Sequence, residues 1–283
     1  MSRTLKTLVS DLAFGEAPRW REDGLYLADM HANRIVVWRP SGFLEVVATF
    51  GSPVSGLGWL PDGRMLVVSM HDRKLLRQEP DGRFAIHGDL AAIATWHAND
   101  MVVATNGDAY VGNFGFPLET PGAFKLAKLA RVTASGQVSV VADDLFFPNG
   151  SVITPDGNTL IVAESGRRTL TAFDIGPKGE LSNRRDWATL PRLALPDGIC
   201  LDRDGAIWVA SPPSRELLRL AEGGEILDRI ETEQEAFACM LGGPDRRRLY
   251  VCTADTADPA RCRAHHTARL LSVEVDVPGA GLP

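Results

Sequence analysis

Cysteine is scarce: four in 283 residues, Cys200, Cys239, Cys252 and Cys262, all in the last third and none in Cys-x-x-Cys spacing. That excludes a disulfide framework or a thiolate zinc site as the organising feature, and each is expected to be a reduced, mostly buried small apolar residue. Basic runs are equally poor. None exceeds Arg246-Arg247-Arg248 and the formal net charge is −6, so the footprint that neutralises phosphates is missing and nucleic acid is excluded as a partner. No stretch reaches 18 apolar residues, and the first thirty residues hold no apolar segment of signal-peptide length, which predicts a cytoplasmic protein without a membrane partner. Hydrophobic residues at 45% and charged residues at 23% are nevertheless enough for a sizeable core, so disorder is excluded too.

Turn formers are plentiful, with 27 glycines and 18 prolines. They are ordered by an internal repeat. Asp-Gly or a near equivalent recurs at Asp23-Gly24, Asp62-Gly63, Asn106-Gly107, Asp156-Gly157, Asp204-Gly205 and, degenerately, Asp245-Arg246, at intervals of 39 to 50 residues. Apolar, β-rich segments flank every one, the strongest short-range hairpin signal; a type I′ turn with both central residues at positive φ is the expectation. Two further strand-like segments follow each hairpin. Four strands per repeat of this length predict a propeller blade, and six repeats predict an all-β, six-bladed β-propeller spanning residues 1–283 as a single domain. The unassigned segments at the two ends are expected to share one blade and close the ring. Residues 123–130 read as a helix or as the lead-in to a strand, and residues 258–269, including His265-His266, as a loop.

Counting seven residues back from each turn gives Glu16, Ser55, Asn99, Asn149, Asp197 and Ala238. Residues of equal phase on the innermost strands form a ring around a propeller's channel. Carboxylates and amides there are costly to bury unless a cation or mutual hydrogen bonds satisfy them. An all-oxygen donor set suits one hard divalent cation, most naturally Ca²⁺, with Mg²⁺, Mn²⁺, Zn²⁺ and Fe²⁺ admitted; the alternative is a ring of polar groups bonded to water and to one another. Gly56, Gly150 and Gly198, next to ring positions, imply close packing there. Asp29, Asn113, Glu164 and Ser211 end the second strands at the same rim, either orienting ligands or capping strands, and His71 stands where it could reach that rim.

At these residues the sequence resembles the SMP-30/gluconolactonase/LRE family, through Gly15-Glu16-Ala17-Pro18-Arg19-Trp20, Asn99-Asp100, Pro148-Asn149-Gly150 and Pro196-Asp197-Gly198 in family order and spacing. The resemblance covers essentially the whole chain. It implies a channel cation held by Glu16, Asn149 and Asp197, substrate contacts from Asn99 and its neighbour Asp100, and Asp197 as the carboxylate that activates the attacking water in lactone hydrolysis. The small-molecule substrate departs from the family's sugars. Where sugar lactonases commonly carry Arg, this chain has His97, which cannot read several hydroxyls at once. Phe114 and Phe116, with Trp96, Phe146 and Phe147, are expected near the mouth, so a less polyhydroxylated substrate is expected. Residues 117–128 are expected to cap the channel. Two other readings stay open: a metal-dependent isomerase, lyase or condensing enzyme, and a non-catalytic interaction platform.

Overall fold

Four strands per repeat is what forms. The computed structural model describes residues 3–21, 24–117, 120, 122 and 124–283, and its strands make six antiparallel sheets of four. The sheets are blades at residues 15–49, 54–89, 98–145, 148–189 and 199–231, with the sixth made of residues 235–274 and the N-terminal strand Lys6–Leu12. That strand pairs antiparallel with the last, Ala268–Glu274, so the two chain ends close one blade. Innermost strands pack on their neighbours all the way round, giving a six-bladed β-propeller.

Burial follows radius. Inner strands such as Ala98–Val103 and Pro148–Ile153 are buried at every residue, while the outermost, such as Leu44–Thr49, are exposed or half-buried throughout. Inner strands are thus covered on both faces, like the strands of a buried parallel sheet, and carry the ring's polar residues among apolar ones. The core lies between blades: Leu66, Val68 and Leu75 of the second pack with Met101, Val111 and Val132 of the third.

The repeated hairpins differ in detail from the sequence expectation. Gly63 takes φ 86 and donates its N–H to Leu60 O, and Leu60 N–H bonds Arg64 O; Asp62 does not take a positive φ. This is a type I turn followed by one left-handed residue, a three-residue loop rather than a two-residue I′ turn. The same arrangement recurs around Gly107 and Gly205; around Gly157 the turn is the same but the loop is one residue longer, Thr154 N–H bonding Thr159 O, and in the degenerate sixth repeat Arg246 takes the left-handed place at φ 56. The preceding Asp or Asn belongs there for its side chain, which accepts the N–H two residues on in Asp62, Asn106 and Asp156. Asp23 lies outside the described residues.

Of the two readings of residues 123–130, the strand is what forms: Ala127–Val132 is the third strand of the third blade, with Ala127, Leu129, Ala130 and Val132 buried. One other expectation needs correcting. A helix forms instead at Pro259–His265, inside the segment read as a loop, with Asp258 accepting from Arg261 N–H as N-cap and Pro259 in the first turn. Of the segment read as a channel cap, Leu118, Glu119, Pro121 and Ala123 lie outside the described residues. All four cysteines are buried and free. After the last strand the chain crosses the far ends of inner strands: Leu282 pairs with Ile153, Ala280 N–H bonds Leu201 O, and Gly279 N–H bonds Arg246 O.

Candidate active site

Five of the six ring residues sit at a fault in their strand, and the sixth, Asp197, precedes the strand Ile199–Leu201. Pairing of the first and second strands slips between Glu16 and Arg19, Val54 and Leu57, Ala98 and Met101, Pro148 and Ser151, and Ala236 and Ala238. A bulge at this phase re-aims one side chain out of the pleat, and the chain uses it in five blades to turn Glu16, Ser55, Asn99, Asn149 and Ala238 toward the axis. Non-glycine residues with positive φ adjoin two of them, Ala17 at φ 45 and Phe147 at φ 56. Such backbone persists only where surrounding structure holds it, and it clusters at functional sites.

The inner strands approach closely here. A Cβ on Gly150 would stand 2.6 Å from Asp197 O, one on Gly56 2.7 Å from Met101 N, and one on Gly198 2.6 Å from Ala238 Cα. Glycine at these places lets the ring contract until its side chains touch. Ser55 Oγ donates to Asn99 Oδ1 at 3.3 Å and Asn99 Nδ2 donates to Asn149 Oδ1 at 3.0 Å. The Asn149 amide also bonds the Asp197 carboxyl and Ser165 Oγ at 3.2 Å. Part of the polar ring is thus satisfied from within, as the hydrogen-bonded alternative required.

The carboxylates are not. Glu16 is buried, and its Oε2 accepts from the Ala17 N–H at 3.0 Å. Burial, then the Asp197 and Asp100 charges, push it well above the usual carboxylate range. Asp197 shows some surface to the cavity but is otherwise enclosed by protein; burial and the Asp100 charge push it up to about 8, the Asn149 amide pulling the other way. Two carboxylates that resist ionising side by side form a strong site for a divalent cation, which would replace lost hydration and cancel the repulsion. Their oxygens, with the Asn149 amide oxygen, are hard donors of the kind calcium and magnesium take. Among the described residues, no cluster of three His, Cys, Asp or Glu side chains is placed to hold a metal, so amide oxygen and water would complete any coordination.

Above this floor lies a cavity of about 460 Å³. Glu16, Asn99, Asn149 and Asp197 line it together, with His97, Phe114 and Phe116. Asp100 is not on its wall. Neighbours on a strand face opposite ways, so with Asn99 turned to the channel Asp100 turns to Arg19, accepting from Nη2 at 2.9 Å and from the Met101 N–H at 2.8 Å. It reaches the site only through its charge. The Phe114 and Phe147 rings stack at 4.5 Å, and His97 stacks on His71 at 4.1 Å, so His71 does reach the rim.

The second-strand ends cap the lead-in segments rather than the ring. Asp29 Oδ1 accepts from Phe14 N–H at 2.9 Å, Glu164 Oε2 from Phe146 N–H at 2.7 Å, and Ser211 Oγ from Leu195 N–H at 3.1 Å. Phe14, Phe146 and Leu195 all line the cavity, so these buried groups fix its walls. Asn113 instead bonds Gly115 N–H and Lys128 O. Sequence reasoning missed Ser165, one step past Glu164, and His31, a buried cavity residue whose pKa burial and then Arg263 lower to about 4. Neither shares the repeat phase that exposed the ring.

Comparison with known proteins places the fold and the chain in a family. The family profile described as SMP-30/Gluconolactonase/LRE-like region matches residues 14–255. The chain is 26% identical to a 6-deoxy-6-sulfogluconolactonase of Pseudomonas putida, over 100% of this chain and 99% of that one. Among solved structures, a luciferin-regenerating enzyme superposes with a TM-score of 0.84 at 19% identity, covering 99% of both chains. A gluconolactonase from Xanthomonas campestris superposes at 0.79 with 26% identity, covering 98% of this chain and 90% of that one.

Proposed function

The chain belongs to the SMP-30/gluconolactonase/LRE-like family, and from that premise we propose that it is an enzyme hydrolysing lactones or related cyclic esters with one divalent cation held by Glu16, Asn149 and Asp197. The observation that carries this reading is the pair of buried carboxylates on the cavity floor, both pushed upward and with no lysine or arginine among the described lining residues to neutralise them. The lactonases among its relatives support the reaction class.

A bound cation would polarise the lactone carbonyl and lower the pKa of a water beside it. The protein's own groups do the rest. Asp197, at the floor, takes the proton from that water at its carboxylate. Asn149, held between Asn99 and Ser165, keeps its amide fixed beside Asp197, and Asn99 presents the next amide to the substrate carbonyl. The phenylalanine wall excludes bulk water from the attack site. Because His97 and aromatic rings stand where an arginine fork would read hydroxyls, the substrate is less polyhydroxylated than a sugar lactone. Calcium best suits the donor set, and magnesium, manganese, zinc or iron(II) would be admitted by the same oxygens.

The test is proton release from sugar, aliphatic and aromatic lactones, before and after chelation and metal add-back, with Asp197→Asn alongside. Hydrolysis that is lost on chelation, returns with one cation and falls at least a hundredfold in the variant is the expected result. A tightly held cation with no lactone opened would replace this reading with non-hydrolytic chemistry.

A further inference from the structure

The cavity's carboxylates and amides sit at the floor, and its upper wall is mostly aromatic and aliphatic, with His71 and His97 stacked on each other at the rim. Phe146 packs into a slot made by Gly166, where a Cβ would stand 2.0 Å from the ring. It meets Phe124 at 4.5 Å, and Phe124 meets Phe116 at 5.5 Å. At the rim Trp96 is 36% exposed and Leu195 38%, both still lining the cavity, and Phe124 is 53% exposed. Large apolar side chains left in water and continuous with a pocket mark a surface that something covers. No lysine or arginine joins them among the described lining residues, so the wall carries no permanent positive charge. The volume lies in the range of pockets that enclose drug-sized ligands rather than a bare ring.

We propose that this wall is a subsite for an extended, uncharged alkyl or aryl substituent on the lactone, running from the ring at Asn99 past Phe114 and Phe147 toward Leu195 and Trp96. It rests on the lactonase reading for the identity of the reacting group. Burial of each added methylene favours binding by about fourfold, so chain length should be read directly in the kinetics.

The experiment takes five-membered lactones bearing unbranched substituents from methyl to octyl, and measures kcat/KM in the cation-loaded protein. The result expected is a rise of about fourfold per methylene until the wall is filled, carried mainly by KM. In Leu195→Glu and Trp96→Ala, first checked for unchanged melting temperature, the octyl-to-methyl ratio falls at least tenfold. A ratio near one in the unaltered protein, or one that neither variant changes, overturns the subsite. Calorimetric titration with the matching lactams, which resist hydrolysis, separates this from the reaction. Lactam affinity that rises with chain length upholds the subsite even if no lactone is opened, and affinity indifferent to length overturns it even if all are.

Discussion

At the scale of single residues, the site was legible where it repeats and hidden where it does not. Glu16, Asn99, Asn149 and Asp197 could be found because a blade repeat fixes their phase, and the structure gathers all four on one cavity wall. Asp100 was misplaced because a motif says nothing of which strand face a residue takes; its partner Arg19 decides that. His31 and Ser165 carried no signal, since they come from connectors rather than the repeat. Gly150 offers a sharp test: with a Cβ 2.6 Å from Asp197 O, Gly150→Ala should cost about 2 kcal/mol, read by urea denaturation, and weaken cation binding at least tenfold by calorimetry. The raised Asp197 pKa gives a second. A carboxyl higher in the folded state than its unfolded value near 3.8 favours folding fully below that value and loses the benefit as pH rises toward about 8. Cation-free protein should therefore lose stability between pH 5 and pH 8, by at most about 1.4 kcal/mol per unit for this group. Asp197→Asn should flatten that slope, and added cation should stabilise more at pH 8 than at pH 5.

Among elements, patterning predicted strands well and their joints less well. Asp-Gly or Asn-Gly marked the innermost hairpins of the second to fifth blades, yet the turn is type I with a left-handed third residue, because the Asp or Asn side chain accepts the N–H two residues on. The helix at Pro259–His265 was announced by Asp258-Pro259, an N-cap followed by proline at the first turn, and lost among charged residues without apolar period. Strand ends proved more purposeful than strands. Glu164 is 0% exposed and accepts from Phe146 N–H, Thr171, Arg184 and Arg167. Glu164→Ala should then cost about 3 kcal/mol by leaving donors unpaired. It should also raise KM more than it lowers kcat, since Phe146 shapes the wall and the carboxylate touches no reacting atom.

For the whole molecule, six blades were readable from spacing alone, and so was closure by the two chain ends, because propeller edges must be paired. Deleting residues 3–12 should expose the edge of Ala268–Glu274, lower the melting temperature by 10 °C or more and promote association by light scattering, whereas a ring closed without that strand would melt unchanged. The C-terminal crossing had no such signature, being a few residues of glycine, leucine and proline. Its consequence concerns traffic. Residues 279–282 are strapped by backbone hydrogen bonds across the far ends of inner strands in the fourth, fifth and sixth blades, while Asn149 and Asp197 lie at the opposite ends of theirs. The route to the floor thus runs past the aromatic rim, and whatever settles at Glu16 and Asp197 is beneath whatever arrives afterwards. On the proposed function, loading would be a stack, last in and first out: a resident substrate would lock a bound ion beneath it, and a chelator would have to wait for the door.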